Sequence, residues 1–211
     1  MSLYDKSSLL QVPSLYKDGT LVSTIPEDRS GDFTVSRGSN LAATRIGPDG
    51  YIKKGYENLL LQSNSFDTSN WYRPSTNTPI GNQVGYDGSN DAWLIEKAGN
   101  GQVSQSISYS GVGTFSVYVK GGSYNFVILY VAALGGRYFE LSGEGNIGLT
   151  FAGIPIDSKI ELIGNDWYKC SISFSGSISD ARIYPAESNG VLGTSGSIYI
   201  QDAQLNQGLV A

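Results

Sequence analysis

The sequence predicts an all-β protein, a jelly roll or β-sandwich with an extended N-terminal arm of short strands and turns. Three observations carry this. Short apolar runs alternate with polar residues at a period of two, the mark of half-buried strands. Turn formers separate the runs at short intervals, and Gly alone accounts for 27 of 211 residues. No long window shows a helical period; at most single turns fit near residues 58–62 and 66–70. No repeat of 20–50 residues is apparent.

The elements follow in order. Residues 1–57 hold apolar pieces only: Leu9-Leu10, Leu21-Val22, Phe33-Thr34-Val35 and Tyr51-Ile52. Turn signals divide them at Lys17-Asp18-Gly19, Pro26-Glu27-Asp28, Arg37-Gly38-Ser39-Asn40 and Gly47-Pro48-Asp49-Gly50. So little apolar surface could hardly form a core alone. The segment is therefore read as an anchoring and oligomerisation arm, with Leu9, Leu10, Phe33, Val35, Tyr51 and Ile52 as its partner-binding residues. Short strands packed on the main domain are the plainer alternative.

Residues 58–211 read as the sandwich. Gln102–Tyr109 and Thr114–Lys120 alternate cleanly and are read as two strands around a Gly111-Val112-Gly113 turn. Tyr124–Val131 is more continuously apolar, so it is placed centrally and covered on both faces. Strands over Arg137–Leu141, Lys159–Ile163, Trp167–Phe174 and Ser197–Leu205 complete the pattern, with Gly143-Glu144-Gly145-Asn146 as a turn.

Composition removes several functions. With no His, a His-based triad, a His-ligated metal and imidazole acid–base chemistry are impossible within the chain. One Cys, Cys170, permits no internal disulfide; it reads as a structural thiol on the less buried side of its strand, opposite in parity to Trp167. Net charge is −5. Residues 1–57 balance seven basic against seven acidic, and residues 58–211 set seven basic against twelve acidic. Nucleic-acid binding is not expected from this balance. No apolar run approaches a membrane span, and no signal peptide is apparent.

Glycoside hydrolysis needs two carboxylates facing across a sugar. Glu96, Glu140, Glu144, Asp157, Glu161 and Asp166 are available, but their neighbours place them on turns or solvent faces. No catalytic residue is assigned, and the protein is read as no enzyme. Asp91 and Asp202 are the candidates for a calcium ion held by hard oxygen ligands. Trp71, Trp93 and Trp167 all read as core. Aromatic surface for a glycan or a protein partner then falls to Tyr109, Tyr118, Tyr124, Tyr130 and Tyr138.

Four stretches carry a resemblance. Asn58-Leu59-Leu60-Leu61-Gln62-Ser63-Asn64-Ser65-Phe66 with Trp71 opens the series. Gly113-Thr114-Phe115-Ser116-Val117-Tyr118-Val119-Lys120-Gly121 and Trp167-Tyr168-Lys169-Cys170 follow, and Tyr199–Gly208 closes it. Together they resemble the carbohydrate-binding-module-like β-sandwich domains of phage virion structural proteins, over about residues 58–208. Residues 2–9, 31–37, 43–46 and 50–52 resemble the leader that joins such proteins to the particle.

The resemblance implies a jelly roll and a virion role: a head-decoration, head-fibre or tail-associated subunit, assembled in the bacterial host cytoplasm. It would dock on capsid, portal or tail proteins, as a dimer or trimer. The alternative is a glycan-binding module for a host or environmental surface polysaccharide.

Overall fold

The computed structural model describes residues 13–17, 20–23, 33–34, 44–46, 52–54, 58–76 and 78–209, with side chains described from residue 58 onward. The chain forms two compact units, 1–55 and 56–211.

Among the described residues, the first unit contains five short strands. β1 (Pro13–Lys17) pairs with β2 (Thr20–Ser23), and β2 with β3 (Phe33–Thr34). β4 (Thr44–Ile46) pairs with β5 (Ile52–Lys54). Two hairpins thus close at turn signals of the sequence, with Lys17 opposite Thr20 and Ile46 opposite Ile52. Of the partner-binding expectations, Phe33 and Ile52 fall in β3 and β5; Leu9, Leu10, Val35 and Tyr51 lie outside the described residues.

The second unit is a single antiparallel sheet of nine strands: β6 (Ile80–Gln83), β7 (Ala92–Ala98), β8 (Val103–Gly121), β9 (Phe126–Val131), β10 (Gly135–Glu140), β11 (Asn146–Phe151), β12 (Asp157–Gly164), β13 (Trp167–Ala186) and β14 (Ser195–Gln207). Its order is β11-β10-β9-β13-β8-β14-β7-β6, with β12 also on β13. The all-β sandwich expected from the sequence is what forms.

Two long strands make the architecture. β8 and β13 pair from Trp167–Lys120 to Ile183–Val103. The N-terminal half of β13 carries β12 on its other edge, and its C-terminal half carries β9. Inward residues of both halves share one core. Phe115, Val117, Val119, Ile198, Ile200 and Leu205 meet Val127, Leu129, Val131, Phe139 and Ile183 there. One sheet thus supplies both layers, and strands that continue from one layer into the other form the corner.

The corner explains a departure from the sequence reading. Gly111 does not end a strand; β8 runs through it. Gly111 faces Gly176 of β13, and both have positive φ, +142° and +139°. Paired glycines let both strands bend at one point while the ladder continues. β11 is a second departure, because its first residue belongs to a sequence signal read as a turn.

β9 is covered on both faces, as its apolar run predicts. Val127, Leu129 and Val131 enter the main core. On the other side Ile128 packs with Tyr138, Tyr184 and Ala186, flanked by Phe126, Tyr130, Phe151 and Leu192. Cys170 reverses its expected side. It is fully buried in the main core, where burial pushes its thiol pKa up.

Lys97 is buried at 3% exposure and donates to the carbonyls of Pro185 and Leu192, at 3.0 and 2.8 Å. Burial lowers its pKa to about 8. The unfolded chain therefore holds more protons than the folded one between about pH 8 and 10.5. Wild type should gain stability relative to Lys97→Met across that window, by ~3 kcal/mol. Urea titrations of both proteins at pH 7.5 and 10 test this; an unchanged difference contradicts it.

Candidate functional site

The outward face of β12, β13, β8 and β14 gathers the polar chemistry of the sandwich. Residues that alternate with the core on β8 are Thr114, Ser116, Tyr118 and Lys120. Cross-strand register builds three rows. Asp157, Ser173, Thr114 and Asn206 form the first; Lys159, Ser171, Ser116 and Gln204 the second; Glu161, Lys169, Tyr118 and Gln201 the third.

A cleft of about 320 Å³ opens on this face, lined by Thr114, Lys159, Glu161, Lys169, Ser171, Ser173 and Leu209. Its floor is made of short hydroxyl side chains, Thr114 at 2% exposure and Ser171 and Ser173 at 7%. Thr114 Oγ1 donates to the Gly208 carbonyl at 2.8 Å and lies 3.1 Å from Ser173 Oγ. A second cleft of about 260 Å³, lined by Gln83, Val84, Lys120 and Tyr199, lies further along β8.

Tyr118 is the cross-strand neighbour of Lys169, which lines the first cleft. Its ring is stacked by Tyr86, with centroids 3.8 Å apart and planes 11° apart. Lys169 Nζ lies 5.7 Å from its centroid, within cation–π range. Tyr86 also meets Trp167 edge-on at 6.5 Å. Trp167 is 1% exposed, but belongs to neither core cluster. The sequence reading places it in the core; instead it is buried on the outward face, beside Tyr86.

A turn over residues 85–89 positions Tyr86. Gln201, fully buried, accepts from the Tyr86 N–H at 3.0 Å and donates to Asp91 Oδ1 at 2.6 Å. Tyr86 Oη donates to Asp202 Oδ2 at 3.2 Å. Burial, then the charges of Asp202 and Tyr118, push the Tyr86 phenol well above its usual pKa. Burial raises the Asp202 carboxyl, reinforced by the charges of Asp91 and Asp87. Hydrogen bonds from Ser89 lower that of Asp87.

Asp91 and Asp202, the calcium candidates, therefore do share one neighbourhood. The described partners of their carboxylates are Gln201, Ser89 and Tyr86, and among the described residues no group of three or more His, Cys, Asp or Glu is placed to hold a metal ion.

The five tyrosines separate. Tyr118 is half-buried, beside Lys169. Tyr130 is half-buried on the outer face of the other layer, with the Arg182 guanidinium 5.3 Å from its centroid. Tyr109 packs against Phe174 and donates to the Val112 carbonyl at 2.7 Å, so its hydroxyl is engaged at the corner. Tyr124 and Tyr138 are corrections. Tyr124 belongs to the main core, and its oxygen accepts from the Ser195 N–H at 3.2 Å. Tyr138 is 4% exposed within the second cluster, against Phe151. Neither offers a ring to a ligand. Tyr86, Lys159 and Lys169 were not singled out as binding residues in the sequence. The parity of Tyr118 with Lys120, and of Trp167 with Lys169, is the signal that could have found this face.

No protein-family model and no curated protein matches the sequence. Similar solved structures include the CBM22-1–GH10 modules of Clostridium thermocellum endo-1,4-β-D-xylanase 10B complexed with xylohexaose, at TM-score 0.41 and 13% identity over 74% of this chain. Another is the CBM22-1 xylan-binding domain of Paenibacillus barcinonensis Xyn10C, at 0.40 and 15%, covering 70% of this chain and 92% of that one. A third is the enzymatically active domain of bacteriophage CBA120 tailspike protein 4, at 0.39 and 14% over 70% of this chain. The chain spans 28% of the xylanase chain and 21% of the tailspike chain.

Proposed function

We propose that the sandwich is a non-catalytic glycan-binding module and that the outward face of β8 and β13 is its binding site. The observation that carries this reading is a cleft floored by the hydroxyl side chains of Thr114, Ser171 and Ser173 and edged by Lys159, Glu161, Lys169 and the exposed Leu209. Short hydroxyls and ammonium groups exchange hydrogen bonds with sugar oxygens, and an exposed apolar side chain at the rim can meet the carbon face of a sugar. Among the described residues the cleft has one lining carboxylate, Glu161, where glycoside hydrolysis uses a pair. Affinity electrophoresis of the full chain through a panel of polysaccharides tests the reading. Retardation by at least one polymer without its degradation is expected, and free migration through all of them overturns it.

A second reading concerns where the module is displayed, and the leader-like sequence of residues 1–57 favours it. We propose that this segment docks the protein, as an oligomer, on capsid, portal or tail proteins of a phage particle. Deleting residues 1–57 should leave a folded sandwich and abolish incorporation into particles, measured by quantitative mass spectrometry of purified virions. A truncated protein that still incorporates contradicts the docking role.

A further inference from the structure

We infer that the ligand of the β8–β13 face is an anionic polysaccharide, one bearing uronic-acid carboxylates; this rests on the glycan-binding reading above. The sandwich unit is acidic overall, with twelve Asp and Glu against seven Lys and Arg in residues 58–211. Yet three of those seven, Lys120, Lys159 and Lys169, line the two clefts on this one face. An acidic domain that gathers its ammonium groups around two polar clefts offers contacts to an anionic ligand there.

The lysines retain capacity for a ligand. Lys169 has its ammonium on the face of Tyr118, and no carboxylate bridges it among the described residues. Lys159 approaches Asp157 at 3.8 Å, but both side chains are largely exposed, at 76% and 53%; such a pair is weak and exchangeable. Lys120 donates to the Asn165 carbonyl at 3.0 Å, and an ammonium has two further hydrogens.

The negative groups nearby are Glu161 on the cleft wall, Asp157 beside Ser173 and Lys159, and the cluster of Asp87, Asp91 and Asp202. Ser89, Gln201 and Tyr86 already donate to that cluster. Carboxylates thus surround the Tyr86 turn, while at the hydroxyl floor Lys159 and Lys169 stand among Asp157 and Glu161, and among the described residues only the Lys159–Asp157 pair is within ion-pair distance there. A sugar in the cleft that carried its carboxylate over Ser171 and Ser173 would meet Lys159 and Lys169 there. A neutral glycan would leave Lys169 without a bridging carboxylate and Lys159 with only its exposed, weak pair to Asp157.

The test compares charged and neutral polymers of matched backbone. The full chain is titrated with polygalacturonate, alginate, hyaluronan, xylan, mannan and galactan, and with the carboxyl-reduced form of each acidic polymer. At least one acidic polymer should bind, with its reduced form at least tenfold weaker. Raising salt from about 0.05 to about 0.5 M should weaken that binding several-fold, because screening shortens the reach of the lysines. Lys169→Met and Lys159→Met should each weaken it at least threefold at unchanged thermal stability; Lys159 is exposed enough that its loss leaves folding intact. Equal binding of a reduced polymer, or binding of neutral polymers alone, overturns the anionic class while the glycan reading stands. Binding of none overturns both.

Discussion

Replacing Tyr118 by Ala is expected to weaken glycan binding at the proposed site and to leave the sandwich folded. The ring is half-buried, with Tyr86 stacked on it and the Lys169 ammonium over it, so its loss releases Lys169 from its position at the cleft. An affinity loss of at least tenfold is expected, ~1.4 kcal/mol or more. Stability should fall little, because Tyr86 keeps its anchors: its N–H on Gln201 and its hydroxyl on Asp202. Tyr130→Ala is the matched control. It removes a half-buried tyrosine from the opposite outer face, beside Arg182 and Phe151, and should leave affinity unchanged. Isothermal titration of wild type and both variants with the best-binding polysaccharide decides the point. Loss in Tyr130→Ala with retention in Tyr118→Ala would move the site to the other layer.

The second large effect is on stability. Phe115 is fully buried on β8, opposite Ile172 of β13 and Leu205 of β14, both also in the core. Phe115→Ala removes the ring at the middle of that three-strand contact and leaves a cavity that paired strands close poorly. The expected destabilisation is roughly 3–5 kcal/mol, a large share of the ~5–15 kcal/mol that holds a typical domain together. For a unit of this size that lowers Tm by roughly 6–20 °C. Trp71, Trp93 and Trp167 all lie in this unit, so tryptophan fluorescence reports its unfolding. A shift of only a degree or two would mean that Phe115 is not central to the core.

Alternation made the strands legible, and it reported which residues share a face. Phe115, Val117 and Val119 were readable as one side; the continuous apolar run signalled the burial of β9 on both sides, and turn formers marked the reversals between Lys17 and Thr20 and between Ile46 and Ile52. Alternation does not report what covers each face. Tyr138 stands on the side of its strand away from the main core, where a solvent-facing tyrosine is the ordinary reading; Phe151 and Tyr184 cover that side. Cys170 and Trp167 were assigned from the premise that a tryptophan marks the core. Their parity was read correctly and the premise inverted the result, because Tyr86 and its neighbours on the outward face shield Trp167 there.

Long-range register was the other blind spot. Gly111 and Gly176 are 65 positions apart, and nothing local shows that they pair and bend together. The proposed glycan-contact face depends on the same kind of information. Lys159, Lys169, Thr114 and Ser173 come from three strands and are united only by ladder register. Tyr86, which stacks on Tyr118, comes from a turn held by a glutamine 115 residues away.

The most direct test of the central claim is a chemical-shift footprint of the polysaccharide on the isotope-labelled full chain. Perturbations should concentrate at Thr114–Lys120, Lys159–Glu161 and Lys169–Ser173, with the Tyr86 turn responding through its stack on Tyr118. Perturbations centred on Tyr130, Phe151 and Arg182, or confined to residues 1–55, would contradict the assignment of the site to the β8–β13 face.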